Sequence, residues 1–502
     1  MGTGTGAHVP GLAEALGAAE LVVGGRRHLD GVRLPEGVER IVLGPLAPAL
    51  DRIAEYVADG RPVLVLASGD PGFFGVVRVL AERFGPERLR VLPGVSSVAV
   101  AFARAGLAWD DAVVVSAHGR DLRTAVQVCR ARPKVAVLTG PGAGPAELGA
   151  ALAGWGDGRV LVVASALGDP AGERVERVTP AEAAGRDWGG AVSVVLCLDA
   201  GRVIAPGGGT VAGGGAGHAG GGTGLPAGRG TVAGGGTGLL AGRGTVAGGG
   251  AGHAHGGAGL PAGPGTVAGG GAGLPPGAGG WALAEEQFTY RDSMITKSEV
   301  RALALARLGP RLGDLVWDIG SGSGSVAVEC ARLGAAVVAV EKDPEAAARV
   351  RGNAAAHGVG GGVRVVRGVA PAVLDGLSGA SGVDDPDAVF VGGGGRELPA
   401  IVAVCAARAR RTVVVALAAL DRVPRVRAAL NGAGLACDGV LLQASRLAPL
   451  PGDVTRLAAT NPVFLLWGER RPAGQESDTS GGAQHSEDSV GSVGFESEGD
   501  DR

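Results

Sequence analysis

The run Val316-Trp317-Asp318-Ile319-Gly320-Ser321-Gly322-Ser323-Gly324-Ser325 passes from apolar, β-branched residues into alternating glycine and serine, then into Val326-Ala327-Val328-Glu329. A short apolar run followed by a glycine turn predicts a buried strand over 314–319 and a helix over 325–333. Working outward, 298–308 has helical apolar spacing, 335–340 reads as a second strand, and 344–357 reads as a helix with Pro344 in its first turn. Further strands are expected at 363–366, 388–391, 412–418 and 463–467. Strands alternating with helices predict an open, doubly wound α/β domain over 281–471.

Upstream, the block 1–205 alternates in the same way, with strands expected at 21–23, 41–43, 62–67, 89–92, 112–116, 134–139, 159–164 and 191–198. The alternation predicts parallel sheets built from βαβ units. Eight strands are many for one sheet, and a change of texture near 108–111 predicts two α/β subdomains with a ligand cleft between them.

The two blocks are separated by residues 206–280, which hold 35 of the chain's 96 glycines and only two charged side chains, Arg229 and Arg243. The motif GTVAGGG starts there at Gly209, Gly230, Gly244 and Gly265, in steps of 21, 14 and 21 residues. No apolar residue recurs at heptad positions, and glycine at this density forbids a stable helix. The segment is expected to be a disordered linker spanning about 50 Å r.m.s.. His253 and His255 within it fit a low-complexity spacer better than a metal site. A tail over 472–502, with eight carboxylates and one arginine, is likewise expected to be disordered.

The net charge of −3 argues against a protein that neutralises many phosphates, so nucleic acid is not an expected partner. Cys129, Cys197, Cys330, Cys405 and Cys437 form no CxxC pair; neither a disulfide framework nor a metal site is expected, and a reducing cytoplasm fits. No uncharged apolar run approaches the roughly 18 residues that span a bilayer. The scarcity of lysine, three among 46 basic residues, reads as genome composition bias.

Glycines between a strand and a helix let backbone approach a nucleotide-like ligand, and an acidic residue at the end of the next strand, here Glu341, can accept both ribose hydroxyls. The spacing Gly320, Gly322, Gly324, preceded by Asp318, is not the G-x-G-x-x-G of dinucleotide enzymes. It resembles the Rossmann-like, S-adenosylmethionine-dependent methyltransferases, whose ligand has no pyrophosphate. Asn461-Pro462-Val463-Phe464 matches only loosely the (D/N)-P-P-(Y/F) motif of nucleic-acid amino methyltransferases, and it lies at the last strand. Thr296-Lys297-Ser298-Glu299-Val300-Arg301, then WDIGSGSGSVAVE, VEKDPEAAARVRGNAAAHG, VVRGVAP and DAVFVGGGGREL, resemble in order the decarboxylating half of the precorrin-6B C(5,15)-methyltransferases of the cobalamin pathway.

In the first block, Ala67-Ser68-Gly69-Asp70-Pro71-Gly72-Phe73-Phe74-Gly75 follows a strand and alone is simply a turn. It is accompanied by Leu92-Pro93-Gly94-Val95-Ser96-Ser97, Ser116-Ala117-His118-Gly119-Arg120, Leu138-Thr139-Gly140-Pro141 and Ala166-Leu167-Gly168-Asp169-Pro170, each after a strand, and by Val22-Val23-Gly24-Gly25-Arg26-Arg27-His28. Together these resemble the tetrapyrrole methylase half of the same bifunctional family. Methylases of this kind open with a strand leading into a glycine-rich loop. Gly2-Thr3-Gly4-Thr5-Gly6 matches the loop, so a strand is expected upstream of Met1.

The resemblance implies methylation of carbon 5 of a tetrapyrrole by the first block and methylation of carbon 15, with loss of carbon dioxide from the ring C acetate, by the second. It implies S-adenosylmethionine as cofactor, contacted by Gly69, Asp70, Ser96, Ser97 and Thr139 in one block and Asp318, Gly320, Gly322, Gly324 and Glu341 in the other. His118, Arg120 and Arg396 are candidates for holding substrate carboxylates, because guanidinium forks match them; Arg26 and Arg27 invite the same reading. Asp292, Lys297 and Glu397 are candidate orienting or proton-handling groups for the decarboxylation. A homo-oligomer in the cytoplasm is expected by resemblance. The competing function is methyl transfer to another small molecule or to RNA; a glycine-rich structural protein accounts for 206–280 alone.

Overall fold

The computed structural model describes residues 9–204, 268–269 and 280–470, except 157, 170, 191–192, 293 and 378–383. Most of the glycine-rich segment, the acidic tail and Gly2–Gly6 with anything upstream therefore lie outside the described residues. The chain divides into one unit of residues 1–125 and 132–273 and a second of residues 126–131 and 274–502.

The first unit contains two sheets. One is parallel, in the order β2-β1-β3, from β1 (Leu21–Gly24), β2 (Glu39–Val42) and β3 (Val63–Leu66). The other comprises β4 (Val113–Ser116), β5 (Lys134–Leu138), β6 (Arg159–Ser165), β7 (Arg174–Val178), β8 (Ser193–Asp199) and the two-residue β9 (Ala268–Gly269), in the order β7-β6-β8-β5-β4-β9. The expected split into two subdomains is thus present as two sheets. The expectation of all-parallel sheets is corrected: in the second sheet only β4 and β5 run parallel, and every other pairing is antiparallel. The cause is the connection after β6, which returns through a turn that is too short for a helical crossover, so β7 folds back as a hairpin.

A second correction concerns residues 89–92, which form no strand. They and β3 line one apolar cavity of about 560 Å³, and β3 ladders with β1 alone among the described residues. The helix Ser97–Ala105 buries Val98, Ala101 and Phe102 against Val114, Ala136, Val162 and Leu196 of the second sheet. Its amino-terminal end faces the turn after β3, as described below.

The second unit is a seven-stranded sheet in the order β12-β11-β10-β13-β14-β18-β15. Its strands are β10 (Leu315–Ile319), β11 (Ala336–Glu341), β12 (Val363–Arg367), β13 (Ala388–Val391), β14 (Thr412–Leu417), β15 (Leu435–Leu442) and β18 (Val463–Arg470). The first five are parallel, and β18 runs antiparallel between β14 and β15. A separate hairpin pairs β16 (Ser445–Leu450) with β17 (Val454–Ala459). Pattern reading misses β15 to β17: covered and exposed residues alternate along β15 and β16, β17 is almost wholly exposed, and none has the continuous apolar run of the inner strands. Every residue of β10 and β11 is buried, with Val316, Val337, Ala339 and Phe390 at the centre of the core. A parallel sheet covered on both faces requires such strands.

Candidate functional site

In the second unit, β10 ends at a loop whose glycines have backbone conformations that side chains resist. Gly320 has φ 73°, and a Cβ there would lie 3.2 Å from the Gly393 nitrogen, where the loops after β10 and β13 meet. Gly324 has φ 75°, and a Cβ would come within 2.8 Å of Val350 Cγ1. The adjacent strand β11 delivers Glu341, 8% exposed, onto this loop. Its Oε2 accepts from the Gly322 nitrogen at 3.0 Å, while Oε1 accepts from the Lys342 and Asp343 nitrogens at 2.8 and 3.0 Å. Asp318 lies underneath. At 1% exposure, its Oδ2 accepts from the Ala327 nitrogen at 3.2 Å and its backbone oxygen from Ser321 Oγ at 2.8 Å. Burial, reinforced by the charge of Glu341, pushes its carboxyl up to about 7. Asp318 thus bonds to the Ser321 hydroxyl and the Ala327 nitrogen, while Glu341 bonds to the loop through Gly322.

The segment before the helix Ser298–Leu308 carries Asp292 and Lys297. Asp292 is exposed, has φ 46° and pairs with Arg291 at 3.3 Å; Lys297 is half-buried at the start of the helix. Arg396 and Glu397 are exposed on a single 3-10 turn, Gly395–Glu397, just after β13. Among the described residues, no hydrogen bond or ion pair joins these four side chains to one another.

The positioning of that segment depends on residues that sequence reading does not single out. Arg301 and Glu329, 0% and 1% exposed, form a buried ion pair. Glu329 also accepts from the Ala282 and Leu283 nitrogens, and Arg301 donates to the Leu283 and Thr296 carbonyls. Asn353 clamps both backbone groups of Thr289 at 2.9 Å and donates to the carbonyl of Ser323, inside the glycine loop, at 2.8 Å. Arg446 binds Glu285 and Glu299, and this guanidinium, with the Ser298 nitrogen, holds the Glu285 carboxyl down to about 2. The only sequence signal is a polar residue within an apolar run, as at Glu329 in VAVE, and such residues are found on solvated faces just as readily.

In the first unit, Gly69 (φ 62°) follows β3, and a Cβ on it would lie 3.3 Å from Ser96 Cα and 3.5 Å from the Ser97 nitrogen. The structure therefore brings together Gly69, Asp70, Ser96 and Ser97. Asp70 closes its own turn by accepting from the Gly72 nitrogen at 2.8 Å, and Ser96 caps its helix by accepting from the Ala99 nitrogen at 3.1 Å. His118 packs on the backbone beside Thr139: a Cβ on Gly140 would lie 2.8 Å from its Nδ1. Thr139 is buried and spends its hydroxyl on Ser193 at 2.7 Å, so that side chain secures the strand end. Arg120 is exposed, its guanidinium 5.9 Å from the ring of Phe74 in the turn after β3.

Residues 9–184 match the family described as Tetrapyrrole (Corrin/Porphyrin) Methylases, and residues 286–465 match the Precorrin methyltransferase domain. Over 391 residues the chain is 36% identical to a precorrin-6Y C(5,15)-methyltransferase [decarboxylating] from Sinorhizobium, a match covering 76% of this chain and 73% of the relative. The chain belongs to the precorrin-6Y C(5,15)-methyltransferase family. Two further relatives each match only about a third of this chain. A probable cobalt-precorrin-6B C(15)-methyltransferase (decarboxylating) from Pyrobaculum calidifontis is 38% identical over 34% of this chain and 87% of its own. A cobalt-precorrin-7 C(5)-methyltransferase from Salmonella typhimurium is 35% identical over 38% of this chain and 91% of its own. The mixed α/β architecture, a tetrapyrrole methylase domain followed by a second methyltransferase domain, is thereby established for this family member.

Proposed function

We propose that this enzyme methylates a precorrin tetrapyrrole at carbons 5 and 15 and decarboxylates its ring C acetate, the first unit serving carbon 5 and the second carbon 15. The observation that carries the reading is the 36% identity to a bifunctional relative over 76% of the chain, a span longer than either unit's family match. In the second unit the residues fit S-adenosylmethionine: the glycine loop leaves backbone open to a ligand, and the Glu341 carboxylate is poised above it. Bound there, the cofactor would supply a methyl group activated on a sulfonium. In the first unit, Gly69, Asp70, Ser96, Ser97 and the strand end at Thr139 would hold a second molecule.

The chain itself contributes proximity and a shaped, dry site, since an in-line methyl transfer to an electron-rich meso carbon demands no strong base. His118, Arg120 and Arg396 bind substrate carboxylates; Asp292, Lys297 and Glu397 orient the acetate and handle the proton that replaces its carbon dioxide. Exposed Leu447 and Leu457, directly opposite each other on the β16–β17 hairpin, support self-association of a cytoplasmic enzyme. No helix among the described residues is long and apolar enough to cross a membrane.

Mass spectrometry of the enzyme incubated with S-adenosylmethionine and precorrin-6Y tests this. Two methyl gains with one carbon dioxide loss are expected. Methyl transfer to RNA with none to the tetrapyrrole overturns the reading.

A further inference from the structure

Arg27, read from the sequence only as one of two arginines that invite a carboxylate, stands in a cluster whose other members, His28 and Ser68, have no role so far. Ser68, the last residue before the Gly69–Asp70 turn, is exposed, and its Oγ lies 2.9 Å from His28 Nε2 and within hydrogen-bond reach of Arg27 Nη2. Arg27 and His28 come from the short helix Arg26–Asp30 that follows β1, the strand paired with β3, so adjacent strand ends deliver all three residues to one place.

The protons in this cluster can be assigned. His28 Nδ1 is buried with no hydrogen-bond partner and faces Gly25, whose Cβ, if present, would lie 3.3 Å away. A buried N–H without an acceptor is costlier than a bare lone pair, so the ring proton belongs on Nε2, which donates to Ser68. Burial, and next the charge of Arg27, lowers His28 to about 4, so the ring is neutral at physiological pH. The Arg27 guanidinium can only donate. Ser68 Oγ therefore accepts two hydrogen bonds, and its own proton has no partner within the cluster. That proton is free for an acceptor from solvent or ligand, with the remaining donors of exposed Arg27 beside it.

We infer that Arg27, His28 and Ser68 form a carboxylate-binding site that grips one acid side chain of the methyl acceptor next to the cofactor-approaching turn. The ligand class follows from the donors. A hydroxyl proton and a guanidinium fork, with no acceptor offered in return, match an anionic oxygen pair. Arg27 and Ser68 touch the substrate, while His28 is a positioning residue that fixes the serine rotor. The inference rests on the proposed function, which supplies a polycarboxylate as substrate.

The test uses the full chain, S-adenosylmethionine and varied precorrin-6Y, with methyl gain and carbon dioxide loss followed separately by mass spectrometry. Arg27→Gln and Ser68→Ala are each expected to raise the acceptor KM about tenfold for the methyl transfer that occurs without decarboxylation, as expected for loss of a hydrogen bond to a charged group. The KM for S-adenosylmethionine and the decarboxylating step should stay within twofold. His28→Gln, whose amide retains a donor, should preserve most of the affinity, while His28→Phe should behave like Ser68→Ala. Wild-type transfer with an acceptor KM unmoved in Arg27→Gln and Ser68→Ala overturns the site alone. A wild-type enzyme that transfers no methyl group without decarboxylation overturns the reading of the first unit, and the site with it.

Discussion

The two units present the loops after their strands in contrasting electrostatic settings. In the first, several polar groups after the strands, Ser68, His118 and Arg120, are open to solvent. In the second, the loop rests on groups that water does not reach, namely Asp318, Glu329, Arg301 and Asn353, all 3% exposed or less. A surface cluster can lose a member at little cost to the fold. A buried network cannot, because each remaining member is left without its partner. The first unit's loops are therefore the more tolerant of substitution, and the second's are the more rigidly set.

The sharpest way to break this contrast is at the Arg301–Glu329 pair. Glu329→Ala should destabilise the second unit by about 3–5 kcal/mol, since it strands a buried guanidinium and two backbone N–H groups. Denaturant unfolding that detects no loss in the second unit's transition would show that the network is not essential to its stability.

The next effect is one of pH, and its sign differs between the units. Asp318 titrates higher in the fold than unfolded, so its contribution is fully present below about pH 4 and is lost as pH rises toward about 7, by up to about 4 kcal/mol. His28 titrates lower in the fold than unfolded, so its contribution is present above about pH 6.5 and is lost as pH falls toward about 4. Unfolding measured from pH 4 to 7 should flatten in Asp318→Asn for the second unit and in His28→Gln for the first; parallel slopes in wild type and variants would refute the assignments.

Smaller effects sharpen the picture of function. Glu341→Gln should weaken S-adenosylmethionine binding by the second unit about tenfold and leave the first unit's binding unchanged, which calorimetry can resolve as two classes of site. Ser96→Ala should cost the first unit about 1 kcal/mol through its lost helix cap, with a larger loss if Ser96 also touches the cofactor.

The amino-acid sequence by itself determined the inner strands, the glycine loop and its acidic partner, and the pairing of two methyltransferase units. The reason is local: a fully buried parallel strand must be apolar throughout, and a backbone at φ 73° or 75° next to another chain segment requires glycine, so these constraints are written residue by residue at Val316, Gly320 and Gly324. Only the tertiary structure decided that Asp318 is buried with its bonds to Ser321 and Ala327, that β6 and β7 form a hairpin, and that residues 89–92 form no strand. It also decided that Arg301 meets Glu329, 28 positions away, that Asn353 reaches Thr289, 64 positions away, and that Ser68 meets His28 across 40. Such contacts pair groups whose hydrogen-bonding needs are met only across strands and helices, and a polar residue's distant partner leaves no periodic trace in the chain.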